Sequence, residues 1–335
     1  MFGSPLDTSQ QRGQQRPPGI NTPLPRIIDE NVSSSTSQVM ASSDSGISLS
    51  GQQKRRLRLF NLIMCLFHSS LATVTLIVGN MDLRLTTFDL SLQLNKNASI
   101  NSFLIPEPAV NEYGYIYVTW SVSIFFMLSA FFHLGNAILW YPWYISELEA
   151  LRSPFRWIEY FFSASTMVLI LAYLSGTIVY IQLFLVVSLI SATMLFGHLT
   201  EVINTKKEGV DEWKLSLIKR VSPHFMGYVP QNSAWIAIMY TYYGGFAGFG
   251  NDFNRPDFVD IIVWVQLGLF FSFGLVQLVV LLRKPSKYVQ GEFAYQTLSL
   301  VAKGSLGGML LANLLFFGSY ECSIEELRDV YNCTD

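Results

Sequence analysis

Apolar residues along the chain fall into seven stretches, each near the roughly 20 residues that an α-helix needs to cross a bilayer. They are Leu57–Gly79, Ile116–Trp140, Phe155–Leu174, Ile178–Leu199, Ser233–Phe249, Phe258–Leu282 and Phe293–Phe317. Lipid offers no water to backbone N–H and C=O groups, so each stretch is expected to be a helix that pairs them internally. The third and fifth are short, and Ser146–Ser153 carries no strong stop before Pro154, which leaves room for the third to begin earlier. Between the first two, Leu83, Leu85, Phe88, Leu90, Leu92 and Leu94 nearly alternate with polar residues. That period predicts a short β-hairpin within residues 80–115. The expected fold class is all-α, a bundle of seven transmembrane helices with a short β-hairpin in the first outer loop.

Composition agrees with the pattern. Half of the residues are apolar and only 14% are charged, where a soluble domain carries about 25%. The lipid bilayer is therefore the first partner, and a net charge of −2 gives no reason to expect nucleic acid. Residues 1–53 differ in kind: Gln, Pro, Gly and Ser dominate, with nine Ser from Ser33 to Ser50. Such a segment cannot bury enough apolar surface to fold and is expected to be a disordered tail. It has no apolar signal-peptide core, so the first span is expected to direct insertion. The domains are then the tail at 1–53, a membrane domain at 54–318 and a second tail at 319–335.

Basic residues near the span ends orient the bundle. Thirteen Lys and Arg collect on the side of Lys54, Arg152, Lys219 and Arg283, against four on the other side (Arg84, Lys96, Arg255 and Arg328). The N-terminus is thus expected in the cytoplasm and the C-terminus outside, opposite to most microbial rhodopsins and to G-protein-coupled receptors. Asn97-Ala98-Ser99 and Asn332-Cys333-Thr334 are glycosylation acceptors on the outer side, while Asn31-Val32-Ser33 stays cytosolic and unmodified. Cys322 and Cys333 lie where a disulfide is chemically permitted, and two free thiols fit the sequence equally well. Cys65 reads as a packing residue in the first helix.

Lys303 stands inside the last apolar stretch, where an ammonium costs about 2.5–3.5 kcal/mol on insertion scales. Ser299 lies one turn before it and Glu292 nearly two turns before that, on the same helical face. Other helices carry polar stripes at helical spacing: Asn61, Cys65, His68 and Thr75; Ser129, His133 and Asn136; Arg156, Glu159, Ser163 and Thr166; His198 and Glu201. A lone histidine in such a place is an ordinary helix–helix hydrogen bond. With a Glu, an Arg and a Lys at similar depth, the pattern turns towards a functional cavity. Glu159 is the natural counter-charge of Lys303. Two readings of that pair stand: a plain bridge between helices, or a lysine whose desolvated amine bonds an aldehyde, leaving a cationic nitrogen that still needs an anion. No HExxH, Cys-x-x-Cys or glycine-rich phosphate loop occurs, and the four His fall on different segments, so no metal site and no enzyme is expected.

The segments FRWIEYFFSASTM (Phe155–Met167) and GEFAYQTLSLVAKGSL (Gly291–Leu306) resemble the third and seventh helices of heliorhodopsins, rhodopsin-like retinal proteins with the N-terminus inside. FFMLSAFFH, His68, MLFGHLTE, GYVPQNSAWIAIMY and FFSFGLVQ extend the resemblance over roughly Arg55 to Phe317. It implies that Lys303 holds all-trans retinal as a protonated Schiff base, with Glu159 as counterion and Ser299 and Ser129 bonding in that region. It further implies that His68 and His133 handle the released proton, and that Arg156, Glu201 and Glu292 form a polar cluster on the cytoplasmic side. Trp235, Phe270, Gln277, Ser163 and Met194 would line the retinal pocket. The entry of the fifth helix, Val229–Trp235, departs from the family by extra residues, and His198 stands where an aromatic is expected.

The function implied is a light-absorbing photoreceptor in which photoisomerisation moves the Schiff-base proton and shifts the helices. One form of it signals to a cytoplasmic partner, reached through the Ser-rich tail; the alternative is a light-driven or light-gated proton transporter. Outward of Lys303 the last helix is mostly Gly, Met, Leu and Phe, and the fourth is apolar from Leu183 to Val187, which favours sensing. A retinal-free scaffold on the same fold is a third reading. Homodimerisation is implied by the resemblance alone.

Overall fold

The computed structural model describes residues 47–94, 106–205, 215–244 and 257–312. The glycosylation acceptors, Cys322, Cys333, the tail up to residue 46 and the chain after residue 312 lie outside the described residues. Among the described residues the elements run α1 (Gly51–Val78), β1 (Arg84–Leu94), β2 (Pro106–Tyr117), α2 (Val118–Leu134), α3 (Tyr141–Glu149), α4 (Pro154–Leu174), α5 (Tyr180–Ile203), α6 (Leu217–Gly244), α7 (Asp257–Leu282) and α8 (Tyr288–Leu310). Five helices are long and apolar enough to cross a membrane: α1, α2 with its π-helical extension to Leu139, α4, α5 and α7. α6 and α8 are as long but carry their polar residues on the buried face, including His224 and Gln231 on α6 and Glu292, Gln296 and Lys303 on α8. Mean hydropathy alone therefore passes them over.

Three expectations are corrected. α1 begins at Gly51, capped by Ser50, whose hydroxyl accepts from Gln53 N while the Gln53 side chain accepts from Ser50 N. Residues 47–53 therefore belong to ordered structure: Leu49 is buried and its N–H donates to Glu149 Oε1 at 3.0 Å. The third span does not begin early. Ser146 lies in the separate helix α3, and the chain reverses at Leu151, which adopts φ 64°. A left-handed non-glycine residue is costly; here it turns Ser153 N towards Glu201 Oε2, at 2.9 Å. The fifth span is the largest revision, since α6 starts at Leu217 and runs unbroken through Pro223 and Pro230. Proline is tolerated in such helices where neighbours satisfy the freed carbonyls.

The hairpin is antiparallel, with a register shift between Thr87 and Phe88. That bulge accounts for the skipped beat in the leucine pattern, where Leu85 is followed by Phe88 rather than a residue at 87. Leu83 and Leu85 pack on the bundle, while Leu90 and Leu92 are exposed. Phe88 N donates to Ile178 O at 3.0 Å and Tyr173 Oη to Thr86 O at 2.6 Å, so the hairpin is tied to the α4–α5 turn.

α1 packs on α2, α2 on α4, α4 on α5, α5 on α6 and α7 on α8. The main core lies at the hairpin end and middle of the bundle, around Val122, Leu171, Ile238, Leu306 and Leu310. A smaller core of Leu57, Tyr144, Leu148, Phe155 and Val289 closes the other end beneath α3. Burying a side chain of this size contributes about 1.5–3 kcal/mol against water.

Candidate functional site

α8 presents Glu292, Gln296, Ser299 and Lys303 at spacings of four, three and four residues, and all four side chains are buried. α4 presents Arg156, Glu159 and Ser163 in the same manner. Where these faces meet, Lys303 Nζ donates to Glu159 Oε1 and to Ser129 Oγ, each at 2.5 Å. Ser129 can accept because its own proton goes to Phe125 O. The Lys303 nitrogen also lies 5.4 Å from the centre of the Tyr160 ring, a cation–π contact. This charge pair is thus anchored on α2, α4 and α8.

His133 and His68 form a second layer. Their rings stack at 5.6 Å and 7°. Asn61 Nδ2 donates to Leu57 O, so its Oδ1 accepts from His133 Nδ1 at 2.8 Å. The proton of neutral His133 then sits on Nδ1, and Nε2 keeps a lone pair without a partner. Neither nitrogen of His68 has a partner. On α1 the buried face is Asn61, Met64, His68, Ala72 and Thr75; Cys65 stands at its margin.

Arg156, Glu201 and Glu292 form a separate cluster near the end where α4 and α8 begin. Arg156 bonds one carboxylate with each terminal nitrogen, Glu201 through Nη2 and Glu292 through Nη1. Tyr144 Oη and Gln296 Nε2 each donate to Glu292 Oε1 at 3.1 Å, and the guanidinium lies 4.0 Å over the Tyr295 ring. Tyr144 comes from α3, an element the sequence pattern does not reveal. His198 is half-buried and Thr166 bonds back to Phe162 O, so neither joins a cluster. Among the described residues no group of His, Cys, Asp and Glu could hold a metal.

A cavity opens beside Lys303 and Ser299, lined by residues of α4, α5, α6 and α7. The space is about half open, and its lining is mostly apolar. Phe270, Gln277 and Met194 line it, as do Trp157, Tyr160 and Phe273. Trp235 stands behind the wall, edge-on to Phe270 at 5.7 Å; Ser163 is fully buried outside the lining, its hydroxyl without a partner. Two glycines allow the walls to close up: a Cβ on Gly197 would fall 2.2 Å from the Trp157 ring, and one on Gly274 2.3 Å from Tyr228 Oη. α6 adds His224, Tyr228 and Gln231 to the lining, at the i, i+4, i+7 spacing of one helical face. Sequence analysis missed them because Pro223, Pro230 and five polar neighbours break the apolar run there; the spacing was the signal that could have found them.

An apolar, aromatic cavity with an amine at its wall suits an elongated apolar ligand that ends in a carbonyl. The family model described as heliorhodopsin matches residues 57–319. No curated protein matches the chain. Among solved structures, a light-driven proton pump from Leptosphaeria maculans is similar at 11% identity, covering 79% of this chain and 95% of its own, with a TM-score of 0.41. With the family match spanning most of its length, and the buried lysine facing its carboxylate beside the cavity, this membrane protein belongs to the heliorhodopsin family.

Proposed function

We propose that the chain is a light sensor that carries all-trans retinal on Lys303, with Glu159 as the counter-charge and the bundle of seven long helices crossing the membrane, basic end in the cytoplasm. The observation that supports this reading most is the position of Lys303 Nζ, bonded to Glu159 and Ser129 at the wall of an apolar cavity. Retinal bound there as a Schiff base would supply visible absorption and a light-driven change of shape. The protein's own residues do the rest. Glu159 favours a cationic nitrogen at Lys303, and Ser129 and Ser299 are polar groups on either side of it. Met194, Phe270 and Phe273 keep water from the hydrophobic length of the ligand. His133 Nε2 and His68 offer buried lone pairs for a proton leaving that nitrogen. Among the described residues Val122, Leu171, Ile238, Leu306 and Leu310 form an apolar core towards the hairpin end, which is the support for signalling over transport.

Purified protein supplied with all-trans retinal should absorb visible light, and Lys303→Ala should abolish the band. Borohydride trapping should leave the adduct on the α8 peptide. A holoprotein with no adduct there would end the proposal. Voltage-clamped cells should show no light-evoked proton current; a reproducible, voltage-dependent current would replace sensing by transport.

A further inference from the structure

The cavity beside Lys303 has a polar far end, where Gln277 meets His224 and Gln231 of α6. Gln277 Nε2 donates to Gly197 O at 2.8 Å, which turns Gln277 Oε1 towards His224 Nδ1 at 2.9 Å. An amide oxygen only accepts, so neutral His224 carries its proton on Nδ1 and leaves Nε2 as an acceptor. That Nε2 is buried without a partner, and so is Gln231 Oε1 two turns along α6; both residues are 4% exposed and both line the cavity. A buried polar group left unmatched is costly, so a ligand that supplies the missing partner is favoured. This end is remote from the backbone of Lys303. On α7, Gln266 donates to Ala302 O beside Lys303, and Gln277 lies eleven residues further on, about 16 Å of helical rise.

We propose that this end of the cavity recognises a hydroxyl group, so that the aldehyde suited to Lys303 is a ring-hydroxylated retinoid rather than unsubstituted retinal. The inference rests on the retinal reading above. The aldehyde condenses with the Lys303 amine with loss of one water, as any aldehyde would, and its ring reaches towards α6. The ring hydroxyl donates to His224 Nε2. A ring ketone has no proton to donate and meets the same acceptor with its own lone pairs, so the site discriminates hydroxyl from keto as well as from hydrogen.

The test offers the apoprotein all-trans retinal, its ring-hydroxylated form and its ring-oxo form, singly and in equimolar competition. Bound chromophore is then extracted and quantified. The hydroxylated form should be retained roughly threefold to tenfold over retinal, the range of one net hydrogen bond, and the oxo form should fall below it. His224→Leu and Gln231→Leu should bring the ratio of hydroxylated to unsubstituted chromophore down towards unity, whatever their total yield. Equal retention of hydroxylated and oxo forms by the wild type would overturn the inference, as would a ratio that neither substitution moves. If the leucine variants bind no aldehyde, the wild-type competition decides by itself. A protein that binds none of the three removes the retinal reading and this inference with it; one that binds retinal without preference removes the inference alone.

Discussion

Two buried ionic groups sit in one bundle and differ in what surrounds them. Around Arg156 each carboxylate oxygen has a donor: Glu201 takes Arg156 and Ser153 N, and Glu292 takes Arg156, Tyr144 and Gln296. Unmatched buried polar atoms lie near both groups: Arg156 Nε, Tyr295 Oη and Gln296 Oε1 at the first, and atoms of His68, His133, Ser163 and Ser299 around the tight Lys303 pair. An unmatched buried polar group is costly wherever it stands; those beside Lys303 differ in kind, since they include imidazole nitrogens that can take up a proton. The Arg156 group joins α4, α5, α8 and, through Tyr144, α3. The Lys303 group leaves lone pairs free for a proton.

Substitutions should separate these roles. Arg156→Leu strands two buried carboxylates, and removing one partner of a buried pair costs about 3–5 kcal/mol; thermal denaturation should show a large loss of stability, with little change of colour in the surviving holoprotein. Glu159→Gln should do the reverse. A neutral amide still bonds Lys303, so the loss of stability should be the smaller of the two, while the visible band moves strongly to the red because the anion that favours the ground-state charge is gone. A greater stability loss from Glu159→Gln than from Arg156→Leu would reverse the assignment. Gly197→Ala pushes a methyl group into the Trp157 ring, an overpacking of about 1–3 kcal/mol. Its effect should reach the cavity, as lowered retinal uptake, before it reaches the Arg156 cluster. The smallest change in stability belongs to His68→Phe: no hydrogen bond is lost from the ring nitrogens, so denaturation should move by no more than about 1 kcal/mol. Its photocycle should nevertheless slow at the step in which the Lys303 nitrogen loses its proton, as followed by flash spectroscopy.

Legibility in the sequence varied with the kind of signal. Lys303 and Ser299, or Arg156 and Glu159, are turns of one helix, so spacing alone puts them on one face. The near-alternation pointed to the hairpin, while the bulge at Thr87/Phe88 came only with the register. Gln266 was passed over, although it is fully buried and bonds Ala302 O and Ser305 Oγ, because one amide in an apolar run draws no notice. α3 has nine residues and no apolar run of its own, so nothing marked Tyr144 as a partner of Glu292.

The order of apolar stretches, the uneven basic charge and the depth of Lys303 were decided by the chain itself, because burial in lipid acts on each segment separately and leaves its mark on local composition. What completes each of the expected charge pairs was decided by packing. Glu159 and Glu292 differ little along their helices, yet α2 brings Ser129 to one while α3 and α5 bring Tyr144 and Glu201 to the surroundings of the other. The cavity and its polar end likewise belong to the fold, since they are made where five helices fail to fill the space between them, and no single segment records that space.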